Sequence, residues 1–193
     1  MSRSQQIRKL VVMALLVAIS VVLIYAIRFP LIPAAAFLEY DPADIPILIG
    51  ALAYGPVAGV MLTVVASLIQ GLTVSAGSGW YGIIMHIIAT STLVVVSSGI
   101  YRFKHTRTGG IVGLVLGTLS MGLIMLPANH FITPLFTGWP VEAVDALLLP
   151  GILPFNLIKA GLNSFVTFLT YKTVSRHIIH GESWEKKSVK KEA

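Results

Sequence analysis

Long apolar runs alternate along this chain with short polar or proline-rich breaks. The first run, Leu10 to Ile27, stops at Arg28-Phe29-Pro30. A polar stretch from Pro30 to Pro46 follows and holds Glu39, Asp41 and Asp44. Ile45 to Tyr54 is a short run ended by Gly55-Pro56. Val57 to Val74, Gly79 to Tyr101, Gly110 to Phe136 and Leu153 to Ser175 complete the set, the fifth being interrupted by Pro127. A straight helix needs about 20 apolar residues to cross a bilayer. Ile45 to Tyr54 is too short for that and is expected to be a tilted or partial span, extended by the loop before it. The pattern predicts an all-α integral membrane protein of six transmembrane helices in a single domain over residues 10–176.

Composition agrees with that class. The 193 residues are 55% hydrophobic and 11% charged, where soluble domains carry about 25% charge. Mean hydropathy is +0.85. The absence of cysteine excludes a disulfide framework and any thiolate nucleophile or metal ligand. The first run is too long for the apolar core of a signal peptide and lacks a clear A-x-A site, so it reads as a span.

Charge predicts the orientation. Arg3, Arg8 and Lys9 precede the first run, and Arg102, Lys104 and Arg107 follow the fourth. Lys172, Arg176, Lys186, Lys187, Lys190 and Lys191 end the chain. The positive-inside rule puts all three clusters in the cytoplasm. Both termini are then cytoplasmic: a short segment over residues 1–9 and a charged tail over 177–193. The acids Glu39, Asp41, Asp44, Glu142 and Asp145 fall outside. The net charge of +6 reflects orientation in a lipid bilayer rather than affinity for nucleic acid.

Lys159 breaks the pattern. It lies inside the last apolar run, where a cation costs about 2.5–3.5 kcal/mol on insertion scales. It must face the protein interior and have a partner. Asn156 and Asn163, three residues before and four after, share its helix face. The topology brings Gln70, His86, Asn129 and His130 to a similar depth in the outer half of the bilayer. Convergence of a few polar groups in apolar surroundings is the usual form of a small-molecule site. Tyr40, Trp80, Tyr81, Phe131, Trp139 and Phe155 lie near the same end. The simplest reading of Trp80, Tyr81 and Trp139 is an interfacial belt. His86 is either a satisfied core histidine or a pocket residue, Gln70 a hydrogen bond between helices, and Arg28 a snorkelling cation or a partner for a loop acid. If Lys159 serves a ligand, Lys159→Met is expected to weaken binding and to spare folding.

Catalytic machinery is absent from the sequence: it has no phosphate-binding loop, no H-E-x-x-H and no nucleophile elbow. His86 and His130 are not spaced as metal ligands. Neither an enzyme, a cofactor nor a metal site is expected. Ala14 and Ala18 form A-x-x-x-A, and Gly113 and Gly117 form G-x-x-x-G, both suited to close helix approach.

Three segments resemble the substrate-binding S components of energy-coupling factor (ECF) vitamin transporters, and within them the riboflavin-binding type. They are Phe37-Leu-Glu-Tyr-Asp-Pro-Ala-Asp-Ile-Pro with Leu48-Ile-Gly-Ala and Tyr54-Gly-Pro-Val-Ala-Gly; Asn129-His-Phe with Pro134-Leu-Phe; and Phe155-Asn-Leu-Ile-Lys159-Ala-Gly. The resemblance covers about residues 8 to 176. It implies a receptor that binds riboflavin as transported substrate near the outer face, gated by the loop over about 29–44. It implies partners as well, a transmembrane T component and two ATPase subunits, the T component meeting Ala14 and Ala18. The implied ligand contacts are Asn129, Asn156 and Lys159, with Leu38, Tyr40, His86 and Asn163 as secondary candidates. Two alternatives stay open: an S component for another vitamin or precursor, and a stand-alone secondary transporter or membrane enzyme.

Overall fold

The computed structural model describes residues 3–32 and 37–174. The expected tail over 177–193 and part of the expected gating loop lie outside the described residues. Helices α1 (Arg3–Ala26), α2 (Asp44–Tyr54), α3 (Pro56–Leu72), α4 (Gly79–Phe103), α5 (Arg107–Thr137), α6 (Val141–Leu147) and α7 (Leu153–Val174) follow in order. A two-stranded hairpin, β1 (Phe29–Pro30) with β2 (Glu39–Tyr40), closes the connection between α1 and α2.

Among the described residues, four helical stretches are long and apolar enough to cross a membrane: Arg3–Ala26, Ala76–Phe103, Arg107–Thr137 and Val141–Val174. The protein is a multi-pass membrane protein. α2 and α3 are shorter, at 11 and 17 residues. At 1.5 Å per residue α2 extends only about 16 Å, roughly half a bilayer core. Its burial explains its all-round apolarity. Every residue from Pro46 to Leu52 is buried, and α1, α3, α4 and α7 all touch it. It is the central post of the bundle. Ile47 and Leu48 join Leu16 of α1, Leu62 and Ala66 of α3, Leu93 and Val94 of α4, and Met121 of α5 in one core.

Two details depart from the sequence expectation. α1 starts at Arg3, well before Leu10, so the first basic cluster rides on the helix itself. α5 runs unbroken through Pro127 and Pro134. A proline removes one backbone donor, and membrane helices tolerate that where neighbours support them. α5 ends where Gly138 takes the left-handed conformation at φ 71°, which suits glycine.

The small residues of α5 do what their spacing predicts. A Cβ added at Gly117 would sit 2.1 Å from Ser97 Oγ and 2.9 Å from the Leu93 carbonyl. One added at Gly113 would lie 2.6 Å from the Ser97 carbonyl. α4 and α5 therefore approach with backbone against backbone. Some buried hydroxyls are satisfied within their own helices: Thr63, Ser67, Ser98 and Thr167 each donate to the carbonyl four residues before.

A candidate ligand cavity

At the end of the bundle where α3 and α5 finish and α4 and α7 begin, the helices enclose a cavity of about 170 Å³. Asn129 comes from α5, Asn156 and Lys159 from α7, His86 from α4 and Gln70 from α3; all line it. The polar groups that the sequence placed at one depth thus meet in space. Leu38 lines it from the hairpin, and Tyr81, Phe136 and Phe155 supply an aromatic wall.

His130 is the exception. It turns away from the cavity, and its Nδ1 lies 2.6 Å from Asp145 Oδ1 on α6. Gln70 corrects a second expectation. Its Nε2 reaches Ser75 Oγ at 3.4 Å, in the turn that follows its own helix, and Oε1 is buried without a partner. It faces the cavity instead of tying two helices together.

The amides are held by their own helices. Asn129 donates to the Met125 carbonyl at 2.8 Å and accepts from Thr133 at 2.8 Å. Asn156 donates to the Ile152 carbonyl at 2.8 Å. An Asn amide carries two donors and a carbonyl acceptor, so each retains an N–H, and Asn156 its carbonyl oxygen as well. Such fixed rotamers present hydrogen bonds at little entropic cost.

The partner of Lys159 is Asp41, an acid of the outer loop. Nζ donates to Oδ2 at 2.6 Å, with both side chains almost fully buried. Asp41 itself lines the cavity. Asp44 is buried too. It accepts from Thr90 at 2.7 Å and from Asn163 at 3.0 Å, with His86 Nε2 at 3.5 Å. His86 Nδ1 pairs with Ser67 Oγ at 2.7 Å. His86 is therefore both a bonded core histidine and a cavity residue. The expectation that Lys159→Met spares folding falls with this pairing, since it would strand a buried carboxylate.

Asn163 and Tyr40 do not line the cavity. They form a brace behind it. Asn163 Nδ2 also donates to the Asp41 carbonyl at 3.1 Å, and Tyr40 donates its hydroxyl to Asn163 Oδ1 at 3.0 Å. Partial burial raises the Tyr40 pKa, with the Asp41 charge adding to the effect, so the hydroxyl keeps the proton it donates. At the mouth, Arg28 pairs with Glu39 of the hairpin and donates to the Val74 carbonyl at 2.8 Å. The segment from Gly71 to Gly79, uninformative in the sequence, contributes Gly71, Ser75 and Ser78 to the wall. Trp80 and Phe131 are 59% and 69% exposed and belong to the outer surface.

Residues 8–171 match the family described as ECF transporter, substrate-specific component. The chain belongs to this family. It is a transporter component and not an enzyme. Among its relatives, the riboflavin transporter RibU of Staphylococcus aureus (strain TCH60) is 28% identical over 180 residues, covering 90% of this chain and 94% of the relative. The riboflavin transporter FmnP of Bacillus subtilis (strain 168) is 30% identical over 162 residues, 80% of this chain and 85% of the relative. A solved structure, described as the S component of a bacterial ECF transporter, superposes with a TM-score of 0.78 at 28% identity, covering 88% of this chain and 96% of the other.

Ala14 and Ala18 are both exposed, on the α1 face opposite its buried residues Val12, Leu16, Ser20 and Ile24. Among the described residues, no cluster of acids and histidines is arranged to hold a metal ion.

Proposed function

We propose that this S component binds riboflavin in the cavity between the hairpin and α3, α4, α5 and α7. The observation that carries the reading is the convergence of Asn129, Asn156 and Lys159 on one aromatic-walled cavity. The isoalloxazine edge of riboflavin presents acceptor, donor and acceptor in a row. Two oriented amides and an ammonium match that sequence. The names of the relatives point to the same ligand. We place the membrane domain over 10–176 with six crossings and both ends in the cytoplasm, α2 and α3 supplying the two short ones. The basic residues at the end away from the cavity support that orientation.

Titration of ligand-stripped, folded protein, followed by quenching of flavin fluorescence, tests the ligand. Saturation with roughly one flavin per chain is expected. No quenching at micromolar flavin overturns riboflavin and leaves family membership standing; another vitamin then becomes the cargo.

Membership in the ECF family implies that uptake runs with a T component and two ATPase subunits, and the chain carries no nucleotide-binding loop of its own. The exposed Ala14 and Ala18 give α1 a flat strip for close helix contact. Replacing both by Trp is expected to abolish ATP-dependent uptake while flavin binding by the isolated chain stays unchanged. Normal co-purification of the double variant with T component and ATPases overturns this interface.

A further inference from the structure

A second cleft, of about 760 Å³, opens at the opposite end of the bundle. Its walls come from α2, α7 and the junction of α4 with α5. Leu52, Leu114, Phe168 and Leu169 make an apolar floor, and His105, Arg107 and Lys172 stand around it. Tyr101 packs edge-on against both Tyr171 and His105, which fixes one wall.

Its charges are uncompensated within the described residues. The described acids are Glu39, Asp41, Asp44, Glu142 and Asp145, all at the cavity end or beside it on α6. Arg107 and Lys172 belong to none of the four described ion pairs. Lys9, Arg102 and Lys104 add to the same field. Leu169 and Phe168 are 60% and 40% exposed on the lipid-facing side of α7, so the apolar floor is continuous with the membrane-facing surface.

We infer that this cleft is a binding site for one anionic phospholipid. The phosphate head group would lie between Arg107 and Lys172, and the upper acyl chain along Phe168 and Leu169. A basic recess between membrane helices is the recurrent form of a site for anionic lipid head groups, and the apolar floor selects a molecule that carries a chain as well as a charge. Loose attraction of lipid to surface lysines would need no cleft, and Gly110 separates the two ideas. It lines the cleft, and a Cβ there meets only the Tyr101 ring at an ordinary 3.6 Å. A larger side chain at this position fills the space without altering charge.

Native mass spectrometry of the full chain in detergent, with added phosphatidylglycerol or phosphatidylcholine of the same chains, tests the inference. Phosphatidylglycerol is expected to stay bound one per chain and phosphatidylcholine to dissociate. Arg107→Gln with Lys172→Gln, and separately Gly110→Phe, should each weaken phosphatidylglycerol binding about tenfold or more. Monodispersity and an unchanged thermal midpoint without lipid serve as controls for folding. Equal retention of the two lipids overturns the site. So does weakening by the charge variant alone, which would mean diffuse attraction, and so does displacement of phosphatidylglycerol by millimolar glycerol phosphate, which would mean a site for the soluble anion.

Discussion

The two ends of the bundle handle charge in opposite ways. At the cavity end, each described acid close to the cavity has a partner: Glu39 has Arg28, Asp41 has Lys159, and Asp44 has Thr90, Asn163 and His86. At the other end Arg107, Lys172 and Lys104 stand exposed and belong to no described ion pair. Burial accounts for the difference. A charge removed from water must be paired or it is strongly destabilising, whereas a cation at the membrane surface keeps its hydration and gains from anionic lipid. The cavity end is therefore built by mutual dependence, and a single substitution there strands its neighbour.

Lys159→Met should break the comparison hardest. It leaves Asp41 buried and unpaired, at a cost of about 3–5 kcal/mol, and it removes a proposed ligand donor. A large fall in the thermal midpoint in detergent and loss of flavin quenching are both expected. Adding Asp41→Asn to Lys159→Met should restore much of the stability without restoring binding. If the single variant is as stable as wild type, the pair does not hold the loop.

Asn163→Leu comes next. It strands two buried acceptor atoms, the Asp41 carbonyl oxygen and Asp44 Oδ2, while Thr90 still holds Asp44 Oδ1. Each unsatisfied buried group costs about 1–3 kcal/mol. Because Asn163 stands behind the cavity wall, stability should fall more than intrinsic flavin affinity. An affinity loss with stability unchanged would move Asn163 into the ligand shell.

Tyr40→Phe removes one neutral hydrogen bond and should cost about 1 kcal/mol near neutral pH. The native Tyr40 pKa lies above its ordinary value through burial. Its contribution is therefore complete below the unfolded-state pKa of about 10 and disappears as pH rises through the native value. Denaturation curves of wild type and variant should converge in that alkaline window and stay apart below it. A gap independent of pH would show that the lost contact is not the hydroxyl bond.

The smallest effect belongs to the other end. Lys104 is exposed, and Lys104→Gln should change stability by no more than about 0.5 kcal/mol. A drop as large as that of Tyr40→Phe would mean that the basic end has a built network after all.

The sequence alone determined the class of the molecule and brought Gln70, His86, Asn129, Asn156 and Lys159, all of which line the cavity, to one depth. Apolar runs of bilayer length admit only a helical membrane protein. A lysine in such a run, with asparagines at helical spacing, marks a face that cannot meet lipid. Periodicity ties Asn156, Lys159 and Asn163 to one face because they share a helix, and span direction assigns a depth to His86 and Asn129. The tertiary structure decided the partners. Asp41 and Lys159 are 118 residues apart in the chain, and no local rule pairs them. In sequence Asp41 and Asp44 look like ordinary loop acids. Their burial depends on the hairpin folding back over the bundle so that Asn163, His86 and Thr90 can receive them. The second cleft was invisible for the same reason. Lys172 and Arg107 read as separate topology signals until the packing of α7 beside the start of α5 set them around one recess.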